Sequence, residues 1–346
     1  MKNHHDAERL KLIGDDETID FMPLETYLTK WMHGDGAKIA IVKLIEAICL
    51  GAFKLSKRVA GGHLYGDPGR LVGSNSDGDL QKSIDVGSHY LFSELLLEAG
   101  AGKLLSEESE DVISNPDGGD FAVAFDPLDG SGNVGIGAPI GTFFSIFPNS
   151  YSHDPFLVKG SEQVAAGYIS YGHSIDFALS VGDGLILGAM EPQSGIFYIL
   201  QENVTLAPET SDLAYNASVY RHLFQPMRQY VDDVQQGKVG PRGKDFNMRW
   251  LGAAVGELHR IFQRGGLFFY VNDQRKGYEN GRLRLIYEAF PIAFLCDAAK
   301  GKATDGMQDI LDIVPASHHA RTPLIFGAAN EVDTIKTYHT LTQNPE

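Results

Sequence analysis

Residues Phe121-Ala122-Val123-Ala124-Phe125 run without a charge into Asp126-Pro127-Leu128-Asp129-Gly130-Ser131-Gly132-Asn133. An apolar run stopped by Pro, Gly and Ser reads as a buried β-strand ending in a turn. This junction constrains the fold strongly. A carboxylate at the end of a buried strand is costly unless a cation or hydrogen-bond donors compensate it. Open α/β sheets place their chemistry at the carboxyl ends of strands. A second acidic string, Ser106-Glu107-Glu108-Ser109, precedes this strand. Four carboxylates beside a Gly-Ser-Gly turn describe a hard-cation site next to an oxyanion cradle. Mg²⁺ takes carboxylate and water oxygens and usually shares them with a substrate phosphate. Metal-dependent phosphate chemistry is therefore expected.

The chain of 346 residues is long enough for two domains or one large α/β unit. Its net charge of −16 argues against nucleic acid, which needs clustered Lys and Arg. An acidic protein can bind an anionic sugar phosphate only through local cations. No apolar run is long enough to span a bilayer, and Met1 to Asp6 lack the apolar segment of a secretory leader. Cys49 and Cys296 lie in apolar helical patterns without metal-ligand spacing, as expected of buried thiols in a reducing, cytoplasmic compartment.

Three segments are expected: an arm over 1–22, an N-terminal domain over 23–203 and a C-terminal domain over 204–346. Ile41, Leu44, Ile45, Ile48 and Ala52 predict a helix over 37–60, stopped at Gly61-Gly62. Residues 63–80, rich in Gly, Asp and Ser, read as a long mobile loop. A second helix is expected from Ile84 to Ala99. Strands are expected over 121–126 and 143–147, several between 163 and 201, and at Leu267–Val271 and Leu283–Tyr287. Helices are expected in the later part of 245–264 and around Ala293–Lys300.

Asp79 and Asp85 could be a helix N-cap and a solvated face, or a loop could bring them to a metal with Asp85 orienting a water. Glu107 and Glu108 could serve two cations, or one could ligate and the other act as base; Glu110 and Asp111 extend the run as a solvated turn would. Asp126 and Asp129 can converge around their turn, where Leu128 adds a carbonyl and the amides of Gly130, Ser131 and Gly132 can cradle a phosphate. The alternative there is a structural Asx-turn. Arg282 and Arg284 share a face by period two; Arg284 could grip a phosphate bidentately or belong to a solvent-facing ladder. Tyr270 alone suggests packing. The pairs His4-His5 and His318-His319 read as surface features.

With these strings in order, the chain resembles the class I fructose-1,6-bisphosphatase family, which includes sedoheptulose-1,7-bisphosphatase. The resemblance runs from about Leu28 to the C-terminus. It rests on His63-Leu64-Tyr65-Gly66, Gly78-Asp79 through Asp85-Val86, Ser106-Glu107-Glu108, Phe125 through Asn133, Arg249 through Arg260, Gly265 through Tyr270, Gly281 through Glu288 and Leu311 through Pro315. It implies an α/β fold of mixed sheets in a layered αβαβα sandwich, a homotetramer, and hydrolysis of the 1-phosphate of a ketose bisphosphate. The implied cofactor is two or more Mg²⁺ per subunit, with Mn²⁺ able to substitute. Glu107, Glu108, Asp126, Asp129 and Glu288 match metal-site carboxylates, with the carbonyl of Leu128. Asp79 matches the catalytic loop, and Asp85 with Glu108 the pair that activates water. Asp129, Gly130 and Ser131 match the cradle of the reacting phosphate. Asn216, Tyr270, Arg282 and Arg284 match the sugar and distal-phosphate pocket, and Arg249 an arginine lent by a neighbouring subunit.

The chain departs from the family pattern at several positions. Arg282 stands where many members carry Lys, and Val219 and Trp250 stand where animal members carry Tyr, which leaves fructose and sedoheptulose bisphosphates both open as substrates. His33 through Lys38 lack the family's Gly-Thr-Gly-Glu pattern for AMP, and Asp120-Phe121 replaces a Lys-Tyr pair that contacts its phosphate. Inhibition by AMP is expected to be weak or absent.

Overall fold

The computed structural model describes residues 19–74, 80–149 and 152–343. The junction Phe121–Asp129 is one continuous strand, buried along its whole length. It sits in a nine-stranded sheet, parallel to Lys103–Ser106 and antiparallel to Ile140–Pro148. The sheet continues through Ala165–Tyr171, Ile175–Ser180, Ile186–Met190 and Phe197–Gln201 as an antiparallel meander. Met22–Pro23 pairs at its far edge with Tyr198 and Ile199, so the expected arm already joins the sheet at its end. His4 and His5 lie outside the described residues.

Side-chain alternation explains how this sheet carries two layers. Phe121, Val123 and Phe125 pack against helices Gly36–Ala60 and Ser83–Glu98 on one face. Ala122 and Ala124 face the opposite way, into a core shared with helices Ala254–Arg264 and Phe290–Ala298. That core is closed from beyond by Ala214, Phe268 and Phe326 of a second, five-stranded sheet. The far face of the second sheet, Leu213, Leu267, Phe269 and Ile325, packs on helices Gln225–Gln235 and Ala329–Gln343. Helix, sheet, helix, sheet and helix therefore stack in the order expected.

Helix Gly36–Ala60 starts where Asp35 accepts from the amides of Ala37 and Lys38 and ends at Gly61. Two sequence expectations change. The described part of 63–80 is not an open loop: Gly62–Tyr65 forms a 3₁₀ turn, and Leu71–Ser74 pairs with Leu80–Lys82 as a hairpin. Leu283–Tyr287 is not one strand. Only Leu283–Arg284 is extended, paired with Arg321–Thr322, and Leu285–Ala289 winds into a π-helical turn leading into the next helix. The cause is local. The Glu288 carboxylate accepts from the Arg284 amide at 2.5 Å, and this bond pulls the chain out of its ladder. Leu285 through Ala289 are all buried, so their apolar sequence carries no period to distinguish strand from helix. Turns of this kind concentrate at functional sites.

Candidate active site

The carboxyl end of Phe121–Asp129 opens into a cavity of about 620 Å³. A register shift between Asp126 and Asp129 breaks the ladder and lets both carboxyl groups turn into it. The π turn delivers Glu288 from the other side. One oxygen each of Asp126, Asp129 and Glu288 lies within 4.8 Å of the others, and all three residues are buried. Asp126 Oδ1 accepts from the Leu128 amide at 2.8 Å, so the Asx-turn alternative is present. Its Oδ2 is buried with no hydrogen-bond partner among the described residues. The turn therefore uses one oxygen and leaves the other for something else. Asp129 Oδ2 accepts from the Val255 amide at 2.8 Å, in the first turn of Ala254–Arg264, where the helix dipole favours a negative charge.

Glu107, Glu108 and Leu128 also line the cavity. Burial and the neighbouring Glu108 push Glu107 up to about 7. Burial raises Asp129 to about 6 against the three backbone amides that donate to it. Asp126 and Glu288 are raised well above the usual carboxylate range, first by burial and then by the neighbouring carboxylates. The site thus collects more negative charge than its own side chains neutralise. The donors are hard oxygens, converging and desolvated, with one oxygen unpartnered. That set fits a divalent cation of the Mg²⁺ or Mn²⁺ type.

Asp85 reaches the cavity from the third position of helix Ser83–Glu98. It is 2% exposed, which excludes the solvated-face alternative. Its Oδ2 accepts from the Lys82 amide at 2.9 Å, and its Oδ1 is buried without a partner among the described residues. Burial raises it to about 6. The helix starts after Lys82, so Asp79 is not its N-cap. Asp79 lies outside the described residues.

Gly130 has φ of 77°, and a Cβ there would lie 2.6 Å from the Cβ of Ala253. Only glycine allows the turn to approach helix Ala254–Arg264 this closely. Gly130 spends its amide on Asp129, while Ser131 and Gly132 line the cavity in the 3₁₀ turn that follows. Asn216, Tyr270, Arg282 and Arg284 also line the cavity, and the Arg284 charge is near enough to Glu107 and Glu288 to lower both carboxyls against the burial that raises them. Arg284 is 3% exposed and donates from Nη1 to the His319 carbonyl at 3.1 Å, which excludes the solvent-facing ladder. Arg282 is exposed, bonds the Tyr278 hydroxyl at 2.9 Å and lies 5.8 Å from the Tyr270 ring centre. Trp250 stacks on Phe268 at 5.8 Å and lines the same cavity. Arg249 is exposed and is not among the residues lining the cavity of its own chain.

Sequence reasoning missed Gln81, Lys82, Tyr278 and the amide of Val255. The Gln81 side chain donates to Glu108 Oε2 at 2.6 Å, and Lys82 Nζ donates to the Ser131 carbonyl. A hairpin ending at Lys82 was the signal that could have found the first two, and the Gly-rich reading of that segment obscured it.

Comparison with known proteins places the chain in one family. The model described as the N-terminal domain of fructose-1,6-bisphosphatase matches residues 27–202, and the C-terminal domain model matches 206–340. The class 1 fructose-1,6-bisphosphatase of Brucella anthropi is 58% identical over 329 residues, covering 95% of this chain and 96% of that one. That of Brucella suis is 57% identical over the same shares. Among solved structures, the Leishmania major fructose-1,6-bisphosphatase in holo form superposes with a TM-score of 0.86 at 28% identity, covering 92% of this chain and 99% of that one. The T-state of the same enzyme gives a TM-score of 0.81 at 26% identity and the same coverage. Among the described residues no helix is long and apolar enough to cross a membrane.

Proposed function

The chain belongs to the fructose-1,6-bisphosphatase family, and from that premise we propose how its residues divide the work. It hydrolyses fructose 1,6-bisphosphate, with metal as the family requires. The finer reading is removal of the 1-phosphate with Mg²⁺, two or more ions per subunit and Mn²⁺ able to replace it. Residues 23–203 carry the metal carboxylates other than Glu288, and 204–346 carry Glu288 and the distal-phosphate pocket, in a cytoplasmic homotetramer serving gluconeogenesis or the Calvin cycle. The convergence of Asp126, Asp129 and Glu288 in a buried, charge-repelling cluster is the observation that carries the metal reading.

Asp126, Asp129, Glu288, Glu107, Glu108 and the Leu128 carbonyl would hold the cations. When bound, these supply Lewis-acid neutralisation of phosphoryl oxygens. The chain does the rest. Arg284, buried and fixed by the His319 carbonyl, presents its planar fork to the distal phosphate, and Arg282 adds a second charge above Tyr270. Asn216 and Tyr270 bound the sugar. Amides of the turn after Gly130 face the reacting phosphate. Asp85 stands near neutrality in proton affinity with Oδ1 unpartnered, as a general base for water requires. Glu108, held by Gln81, orients that water with it. Water attacks phosphorus in line and gives its proton to Asp85; the P–O bond to the sugar breaks, and the leaving alkoxide takes a proton from solvent water. Asp79 on the catalytic loop and Arg249 lent from a neighbouring subunit complete the set.

Trp250, which lines the cavity, favours a second reading, dual action on sedoheptulose 1,7-bisphosphate; Val219 is buried in the core with Leu213 and Tyr215 and is not among the lining residues. Phosphate release from both substrates, assayed side by side with Mg²⁺ and with EDTA, tests the scheme. Release from fructose bisphosphate alone removes the second reading, and release that survives EDTA removes the metal assignment.

A further inference from the structure

We propose that His319 is a positioning residue for the metal carboxylates, acting through the hydroxyl of Tyr287 and the backbone of Glu110. The proposal rests on the metal assignment above. His319 lies just before strand Arg321–Thr322, and both of its ring nitrogens are engaged. Nε2 lies 3.2 Å from the Glu110 carbonyl, across 209 residues of sequence, and Nδ1 lies 3.0 Å from the Tyr287 hydroxyl. A carbonyl only accepts, so Nε2 carries the proton. In the neutral ring Nδ1 is then an acceptor, and Tyr287 donates to it.

Two consequences follow for the metal site. Tyr287 is fully buried; burial and then the charge of Glu107 raise its phenol, with Glu288 and Asp126 adding to the effect. Its single proton is engaged by His319, so Tyr287 is not a donor to those carboxylates. The second consequence is mechanical. Tyr287 precedes Glu288 on the π turn, and Glu110 ends the acidic turn that begins at Glu107. One imidazole therefore straps together the two remote segments that bring carboxylates to the site. Outer partners of this kind fix ligand orientation and change metal affinity by about 10- to 100-fold.

The anchor of Arg284 is the backbone carbonyl of His319, not its ring. Replacing the side chain therefore separates the metal effect from the grip on the distal phosphate. The test titrates Mn²⁺ into metal-free protein, with free ion read by electron paramagnetic resonance, for the parent, His319→Ala, His319→Gln and Tyr287→Phe. A parent that binds no Mn²⁺ overturns the metal assignment itself. With the parent binding, His319→Ala and Tyr287→Phe are each expected to weaken affinity about tenfold. The Gln variant, whose amide can donate to Glu110 and accept from Tyr287, should recover most of the loss. A variant combining His319→Ala with Tyr287→Phe should bind no more weakly than either single one. KM for fructose 1,6-bisphosphate at saturating Mg²⁺ should stay within about twofold, since the carbonyl that holds Arg284 is retained. An unchanged Mn²⁺ affinity, additive losses, or KM rising in proportion to the metal loss would each overturn the proposal. If the Ala variant does not fold, the Gln and Phe variants carry the same comparison.

Discussion

Replacing Asp129 by Asn should stabilise the metal-free protein at neutral pH while removing its activity. Burial lifts the Asp129 carboxyl from an ordinary 3.8 to about 6, although the Val255 amide donates to it at 2.8 Å. At about 1.4 kcal/mol per tenfold change in proton affinity, that rise is worth about 3 kcal/mol. The folded pKa lies above the unfolded one, so the metal-free fold is favoured with this group protonated. That contribution is fully present below about pH 4 and is lost as pH rises through about 6. Asn cannot ionise and keeps an oxygen for the Val255 amide. The stability of the variant relative to the parent should therefore grow from near zero at the acid end to about 3 kcal/mol by neutrality. Unfolding entropy of roughly 2.1 cal/mol/K per residue over 346 residues gives about 0.7 kcal/mol/K, so the gap corresponds to about 4 °C in Tm. Calorimetry in EDTA at a series of pH values measures it, and the difference between the two proteins cancels the acid denaturation they share. Saturating Mg²⁺ should invert the order, because only the parent gains the full set of ligands. A pH-independent gap, or a variant less stable than the parent in EDTA at neutral pH, would refute the view that desolvated charge outweighs the helix amides here.

Asp85→Asn keeps the acceptor for the Lys82 amide, so Mn²⁺ binding should persist while kcat falls about 10²- to 10⁴-fold; near-parental kcat would remove Asp85 from proton transfer. Arg284→Lys keeps a charge but loses the fork and its reach to the His319 carbonyl, so KM should rise at least about tenfold with little change in Mn²⁺ affinity. A KM equal to the parent's would exclude Arg284 from the distal phosphate. Micromolar AMP should inhibit little. Asp35 already accepts from the amides of Ala37 and Lys38 at the start of Gly36–Ala60, where an added anion would meet its charge. Strong inhibition in a steady-state assay would show that a nucleotide phosphate displaces that cap.

Part of this site was legible because a buried carboxylate imposes a local syntax. Phe121 to Asp129 had to end in a Pro-and-Gly turn, since no regular strand can point consecutive acids into a cavity and still satisfy its backbone. The five layers came with the family resemblance alone: a strand covered on both faces is apolar throughout, and only the structure sends Val123 to one core and Ala124 to the other. The π turn at Leu285–Ala289 was not legible, because it is apolar on every side and its cause is a side chain folding back on the Arg284 amide. Nor was the depth of Asp85, which in sequence resembles any acid in a first helical turn. The groups that hold the carboxylates in place were hidden most completely. The Val255 amide meets Asp129 across 126 residues, and the Glu110 carbonyl meets His319 across 209. Backbone donors and acceptors exist at almost every position, so their identity in a site carries no residue-type signal. Carboxylates such as Asp126 and Asp129 announce themselves through turn chemistry, whereas Glu288 came only with the family resemblance, and the neutral scaffold around them becomes visible only when remote segments are seen side by side.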